Sequence, residues 1–168
     1  MKTLILGLGN TILTDDGVGI YVARRIRELL QVPIPGLQVT SHESQVSIQE
    51  ASVGGFNFID LLTGYEHALI IDAIHTKDGT PGEFYELDLR ALKPSVRISS
   101  LHGIDLATAC QMAKGMGISF PKDLRIFVME VEDEFTFGET CTPKVAANID
   151  KMAKSIISHL TASLSPRR

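Results

Sequence analysis

The chain has 168 residues, of which 44% are hydrophobic and 21% are charged, and its formal net charge is −4. This ordinary globular composition favours one folded domain, which we place at residues 1–164 with a frayed tail at residues 165–168. The net negative charge does not favour nucleic-acid binding, which needs a positive surface. No apolar run reaches the roughly 18 residues that a membrane span requires. We therefore expect a cytoplasmic monomer that binds neither nucleic acid nor a membrane.

The first predicted strand is the apolar run at residues 4–6, and a glycine-rich turn, Gly7-Leu8-Gly9-Asn10, follows it. The glycines are similar to the start of a dinucleotide-binding fingerprint, but Ile12 stands where the third glycine is needed. An acidic pair, Asp15-Asp16, then precedes a predicted helix with apolar residues at helical spacing. Two carboxylates would repel a pyrophosphate and suit a cation, so the pattern disfavours a nucleotide site.

The rest of the chain alternates between predicted strands and helices, which is typical of a three-layer α/β/α sandwich. We predict strands at residues 37–40, 67–72, 84–89 and 124–129, and helices at residues 56–62, 104–114 and from Pro143 onward. Residues 41–55 are less regular, and residues 130–142 form a long loop. The strand at 84–89 follows a short turn, so it runs antiparallel to its predecessor.

Three polar residues, far apart in the sequence, follow or end such elements. Asp16 comes after the first strand, Asp72 ends the third, and His102 precedes a helix. The carboxyl ends of parallel strands meet at one edge of a sheet, where α/β proteins keep their sites. Two carboxylates and one imidazole suit a borderline divalent ion such as nickel or zinc, and three ligands leave positions for water or substrate.

Structural roles compete with this interpretation at each position. Asp15 and Asp16 are both candidates for capping the helix that follows them, since carboxylates favour helix N-termini. Asp72 could bond amides in its turn, and His102 could be an ordinary residue at a helix start. Cys141 lies in a loop, but no base is paired with it in the sequence, so a cysteine nucleophile is disfavoured.

The opening GLGNTILTDDGVG resembles the N-terminal signature of the hydrogenase maturation endopeptidases, which trim the C-terminal extension from the large subunit of nickel-iron hydrogenases. The family's Gly-x-Gly-Asn turn matches residues 7–10, and its acidic pair and glycine match residues 15–17. IIDAI around Asp72 and SSLHGIDL around His102 also resemble family segments. Glu132 and Thr142-Pro143 are similar to a late loop and helix start, so the resemblance covers residues 1 to about 160.

The resemblance implies a five-stranded, mixed and mostly parallel sheet between helices. It also implies that Asp16, Asp72 and His102 are both the metal-contacting and the catalytic residues, which leaves helix capping to Asp15. The partner would be a hydrogenase large-subunit precursor that carries the nickel, while the enzyme itself holds no tightly bound metal. Two departures concern substrate choice: Val53 precedes Gly54-Gly55 where many relatives have an acidic residue, and residues 40–53 form a longer segment.

Two other functions compete with the peptidase. A non-catalytic nickel-binding or chaperone module could use the same three residues. The LGLGN opening is also similar to the VGLGN of peptidyl-tRNA hydrolases, but their histidine and asparagine are absent from residues 11–25, and the acidic charge disfavours tRNA.

Overall fold

The structure is a computed structural model, and it describes residues 2–30, 40–41, 44–52, 57–87, 97–98, 112 and 114–164. The strands are β1 (Lys2–Leu8), β2 (Thr40–Ser41), β3 (Ser44–Ala51), β4 (His67–His75), β5 (Phe84–Leu87), β6 (Arg97–Ile98) and β7 (Asp123–Glu130). The helices are α1 (Val18–Leu30), α2 (Asn57–Leu62), α3 (Pro143–Ala146) and α4 (Ile149–Leu164), with a 3-10 turn at Thr14–Gly17. None of these helices is long and apolar enough to span a bilayer.

Five strands of appreciable length form the sheet in the order β3-β1-β4-β7-β5, and the two-residue strands β2 and β6 pair with β3 and β4. β3, β1, β4 and β7 are parallel, while β5 is antiparallel to β7 at one edge. The predicted α/β fold with a mostly parallel mixed sheet is therefore confirmed. β5 has the predicted orientation, but it pairs with β7 rather than with its predecessor in the chain.

Side chains on the central strands alternate between two apolar cores. On β1, Ile5 packs with α1 and α4, whereas Leu4 and Leu6 pack with Leu62 of α2 on the opposite face. This alternation follows the two-residue period of a strand and places helices on both faces of the sheet. Both faces are covered, so β1 and β4 are apolar runs rather than alternating sequences.

Two element predictions were wrong. Ser44–Ala51 is a parallel strand beside β1, although the sequence pattern predicts a less regular segment at residues 41–55. The final helix is interrupted after Ala146, because Asn148 turns back to donate a 2.9 Å hydrogen bond to the carbonyl of Lys144. The predictions at residues 37–39, 54–55, 99–111 and 165–168 lie outside the described residues.

An ion-pair cluster joins α1 to β3. Glu50 lies 2.9 Å from Arg24 and 2.8 Å from Arg27. Burial alone would raise the pKa of Glu50, but the hydrogen bonds and charges of the two arginines together lower it below its ordinary value.

We expect Glu50→Gln to lower the free energy of unfolding at neutral pH by about 0.5 kcal/mol, since partly exposed ion pairs contribute little. The folded-state pKa lies below the unfolded one, so this contribution is complete above the unfolded pKa. It disappears as the pH falls through the folded pKa, starting near pH 4.3, about the value for free glutamate. Urea unfolding from neutral to acid pH measures the difference. Glu28→Gln is the comparison: it removes a carboxylate that is 65% exposed and pairs, among the described residues, with Arg25 alone, so its effect should be smaller than that of Glu50→Gln.

Candidate active site

The chain reverses its direction of travel across the sheet between β1 and β4. From β1 it passes through α1 to β3 on one side, and then through α2 to β4 on the other. This is a topological switch point, and open α/β sheets bind ligands in the crevice that forms there at the carboxyl ends of the strands. The 3-10 turn that carries Asp15 and Asp16 lies against β4 at this edge.

Two glycines allow this close packing. Gly9 has a φ of +136°, and a Cβ at that position would overlap the carbonyl oxygen of Asp16. Gly19, the second residue of α1, lies so close to the sheet that a Cβ would overlap the carbonyl oxygens of Leu8 and Ile71. The turn and the helix start can therefore lie directly on the ends of β1 and β4 only because neither residue has a side chain.

Asp72 lies at this edge, but the prediction that it ends its strand was wrong. β4 continues through Ile74, which pairs with Glu130 of β7 and with Ile98 of β6. The carboxyl of Asp72 is fully buried, and one of its oxygens accepts a 2.8 Å hydrogen bond from the N–H of Ala73. The last β1–β4 pair joins Gly7 to Ile71, so Asp72 is the first β4 residue beyond it, at the start of the crevice.

The structure thus brings two of the three predicted site residues to one edge of the sheet. Asp16 is partly exposed in the turn after β1, and Asp72 is buried in the neighbouring strand. His102 lies outside the described residues, so the convergence of all three side chains stays a prediction. No group of three or more His, Cys, Asp and Glu side chains suited to a metal ion occurs within the part of the chain that the structure describes.

Asp15 does not cap the helix that follows it, which corrects the sequence-based assignment. Its buried carboxylate instead accepts hydrogen bonds from the distant loop at residues 132–142. The donors are the N–H groups of Glu132 (3.1 Å), Asp133 (3.0 Å) and Thr142 (2.6 Å) and the hydroxyl of Thr142 (2.9 Å). Asp15 therefore fixes the 3-10 turn to this loop. The acidic pair in the sequence indicated that Asp15 has a role. Nothing in the sequence indicated that its hydrogen-bond donors lie 117 or more positions away.

The residue before Asp15 is held in an unfavourable backbone conformation. Thr14 has a φ of +36°, which is uncommon for a β-branched residue. Its N–H donates to the carbonyl of Gly138 (2.9 Å) and its hydroxyl donates to that of Thr136 (2.6 Å). Such strain persists only where the surroundings enforce it, and it clusters at functional sites.

A second buried carboxylate stabilises the neighbouring part of the edge. Glu130, at the end of β7, accepts hydrogen bonds from the N–H (3.1 Å) and hydroxyl (2.7 Å) of Thr76 and from the hydroxyl of Tyr85 (2.8 Å). Burial, together with this bond, raises the pKa of Tyr85. Glu130 is committed to these structural contacts, so we do not place it among the reacting groups.

Within the residues that the structure describes, Cys141 carries the free thiol next to this site. Its surroundings do not suit the role of a nucleophile. Its sulfur lies 3.7 Å from the carbonyl oxygen of Thr14. Burial, with a smaller effect of the Asp15 charge, raises the pKa of the thiol to about 12. The reactive thiolate is therefore scarce at neutral pH, in agreement with the sequence analysis.

The fold and this edge define an α/β protein with an acidic site at the β1–β4 switch point. A sequence model of the hydrogenase maturation protease family, HycI, matches residues 35–159. The chain therefore belongs to the hydrogenase maturation protease family, and it is a hydrolase of the endopeptidase class. This membership decides against the peptidyl-tRNA hydrolase alternative.

Individual proteins are similar to this chain over almost their whole length. The chain is 25% identical to the hydrogenase 2 maturation protease of Escherichia coli K12, over 97% of this chain and 93% of that one. The structure of the maturating endopeptidase HybD from E. coli matches with a TM-score of 0.70 and 25% identity, covering 98% and 94% of the two chains. The [NiFe] hydrogenase maturation protease HybD from Thermococcus kodakarensis matches with a TM-score of 0.69 and 23% identity, covering 96% and 99%.

We expect Asp15→Asn to destabilise the fold by about 3 kcal/mol. One side-chain oxygen would become an N–H₂ group facing buried donors, and hydrogen bonds to a charged acceptor are worth about 1.5–3 kcal/mol. Urea unfolding measures the loss, and hydrogen exchange should show faster opening at Glu132, Asp133 and Thr142. Asp133→Asn is the matched control. Its oxygen can keep the turn bonds from Phe135 and Thr136, so its stability should remain near wild type. Equal stability of the two variants would contradict the anchoring role of Asp15.

We expect Cys141 to resist alkylation by iodoacetamide at pH 8 in the folded protein, because its pKa of about 12 leaves almost no thiolate. The same thiol should react readily in urea. Peptide mass mapping distinguishes Cys141 from Cys110 in both conditions. Rapid modification of folded Cys141, with loss of peptidase activity that Cys141→Ala also shows, would reinstate the cysteine as a nucleophile.

Proposed function

We propose that this chain removes the C-terminal extension of a nickel-iron hydrogenase large-subunit precursor after nickel insertion, with the bound nickel as its recognition signal. The observation that carries the proposal is the position of Asp16 and Asp72 at the switch-point edge of a hydrogenase maturation protease fold. The names of two relatives support this substrate class, since one is a hydrogenase 2 maturation protease and the other is a [NiFe] hydrogenase maturation protease.

In this proposal Asp16, Asp72 and His102 contact the nickel that the precursor carries. Two carboxylates and an imidazole form a donor set that suits a borderline divalent ion. Contact with a substrate-borne ion fixes the precursor, and it places the nearby scissile peptide bond against the same edge. The enzyme needs no resident metal, because the ion arrives with its substrate.

Two routes can activate the water that attacks the peptide bond. The substrate's nickel can polarise the scissile carbonyl or acidify a water. Alternatively, a carboxylate can accept the proton from the water as it attacks. Asp16 suits the second route better than Asp72, because a base must reach the attacking water and Asp16 is the partly exposed member of the pair. Either route uses the same three side chains.

We expect the purified protein to cleave a nickel-loaded large-subunit precursor and to leave the nickel-free precursor intact. Asp16→Asn, Asp72→Asn and His102→Ala should each lower the cleavage rate by about 100-fold or more, the usual contribution of a positioned acid–base group. Gel mobility and the mass of the released peptide measure processing. Asp60→Asn, which removes an exposed carboxylate from α2, is the control that should retain full activity.

Each departure from this result has a distinct meaning. Equal cleavage of nickel-free precursor would contradict nickel recognition while leaving the peptidase in place. Binding of nickel-loaded precursor without cleavage would instead support the nickel-binding module. Full activity of His102→Ala would remove that residue from the site.

A further inference from the structure

Two phenylalanines stand out from the loop beside the candidate site. Phe135 is 79% exposed and Phe137 is 81% exposed, and Ile12 on the adjoining loop is 49% exposed. We call these three residues the apolar rim. Burying such side chains stabilises a fold, so exposing them together needs a reason.

The two rings are exposed although hydrogen bonds hold their loop in place. Asp133 accepts hydrogen bonds from the N–H groups of Phe135 (3.1 Å) and Thr136 (2.9 Å), which fixes the bend between the rings. A hydrogen bond from the Thr136 hydroxyl, with smaller effects of these two backbone bonds, lowers the pKa of Asp133, so it remains an ionised acceptor.

The loop next to Phe137 is held by a contact with the first loop of the chain, which carries Ile12. The N–H of Gly138 donates to the carbonyl of Ile12 (3.0 Å), and the hydroxyl of Tyr21 donates to the carbonyl of Glu139 (2.7 Å). Hydrogen bonds to the backbone thus lie on both sides of the two phenylalanines, and the bond from Gly138 joins their loop to the backbone of Ile12. The apolar rim is a preorganised surface, and such surfaces lose little entropy when they bind.

The loop that carries the two phenylalanines is acidic. Residues 130–139 carry Glu130, Glu132, Asp133, Glu134 and Glu139 and no basic side chain. Glu130 is buried, and Lys144 lies 3.6 Å from Glu132 at the margin of the loop. A second copy of this chain would bring the same acidic loop against itself, and an anionic membrane would be repelled. A partner with apolar side chains flanked by basic ones fits this surface.

We propose that the apolar rim is the docking surface for the precursor, and that it binds an apolar segment of the large subunit flanked by Lys or Arg. The location supports this occupant, because the loop that carries the rim is bonded to Asp15, directly before Asp16. A protein held on the rim is therefore in contact with the border of the candidate site. The inference rests on the proposed function, since the precursor is its partner.

The test is the double substitution of Phe135→Ser and Phe137→Ser, assayed with full-length nickel-loaded precursor. We expect KM to rise about tenfold or more while kcat changes less than about twofold, because docking contacts distant from the reacting bond affect binding. Wild-type KM should also rise with salt, since the attraction between loop and precursor is screened. Met116→Ser is the control: it removes a side chain that is 67% exposed in the segment leading to the amino end of β7, and its KM should not change.

Direct binding of the precursor, measured by calorimetry with wild type and the double variant, separates this inference from the proposed function. Wild-type cleavage with an unchanged KM in the double variant would overturn the docking surface and leave the peptidase intact. Absence of wild-type cleavage, with binding weakened in the double variant, would overturn the proposed function and support the surface. Dimerisation of the wild type that the double variant abolishes, or sedimentation with anionic vesicles, would assign the rim to another occupant and overturn the inference.

Discussion

The candidate site depends on the buried carboxylate of Asp15. Taking an ionised carboxylate out of water costs several kcal/mol, and only a full set of donors offsets that cost. Three backbone N–H groups and one hydroxyl supply the donors here, all of them from residues 132–142. The 3-10 turn and the distant loop consequently form one unit, because neither can move away without leaving a buried charge or buried N–H groups unsatisfied.

This unit explains how two adjacent aspartates can have different roles. Asp15 is fully buried and engaged with the loop, whereas Asp16 is partly exposed at the edge beside β4. A carboxylate that contacts a substrate must remain accessible, and it must also stay in one place. Asp15 fixes the position of the turn, and it does so without burying Asp16. The strained backbone of Thr14 and the absent side chain of Gly9 belong to the same arrangement, since both residues fix where the turn meets the sheet.

The sequence predicted those parts of the fold that local pattern determines. β1, β4 and β7 were evident as apolar runs because helices cover both faces of the sheet, and α1 was evident from its apolar spacing. β3 was missed because it lies near the edge, where only alternate residues such as Val46 and Ile48 pack inward. The break after Ala146 was missed because it follows from a side-chain bond of Asn148 and not from a proline or glycine.

The candidate site could likewise be predicted only in part from the sequence. The common edge of Asp16 and Asp72 could be inferred, since parallel topology brings the carboxyl halves of β1 and β4, and the turn that follows β1, to one side of the sheet. The anchoring role of Asp15 and the outward phenylalanines of the loop could not. Both depend on contacts between segments more than a hundred positions apart, and no local periodicity encodes such contacts.

The glycine-rich turn after β1 is similar to the turn of a dinucleotide-binding site, but the charges that follow it are different. In a dinucleotide site the helix begins at the turn itself, and its free N–H groups face a phosphate. Here α1 begins only at Val18, and the 3-10 turn with its acidic pair occupies the intervening space. Gly19 still provides the close contact between helix and sheet that the third glycine of the fingerprint provides elsewhere. The packing requirement is thus retained, while two carboxylates stand where a phosphate-binding site presents free N–H groups. This charge is the reason that we propose a substrate-borne cation, rather than a phosphate, as the ligand of the crevice.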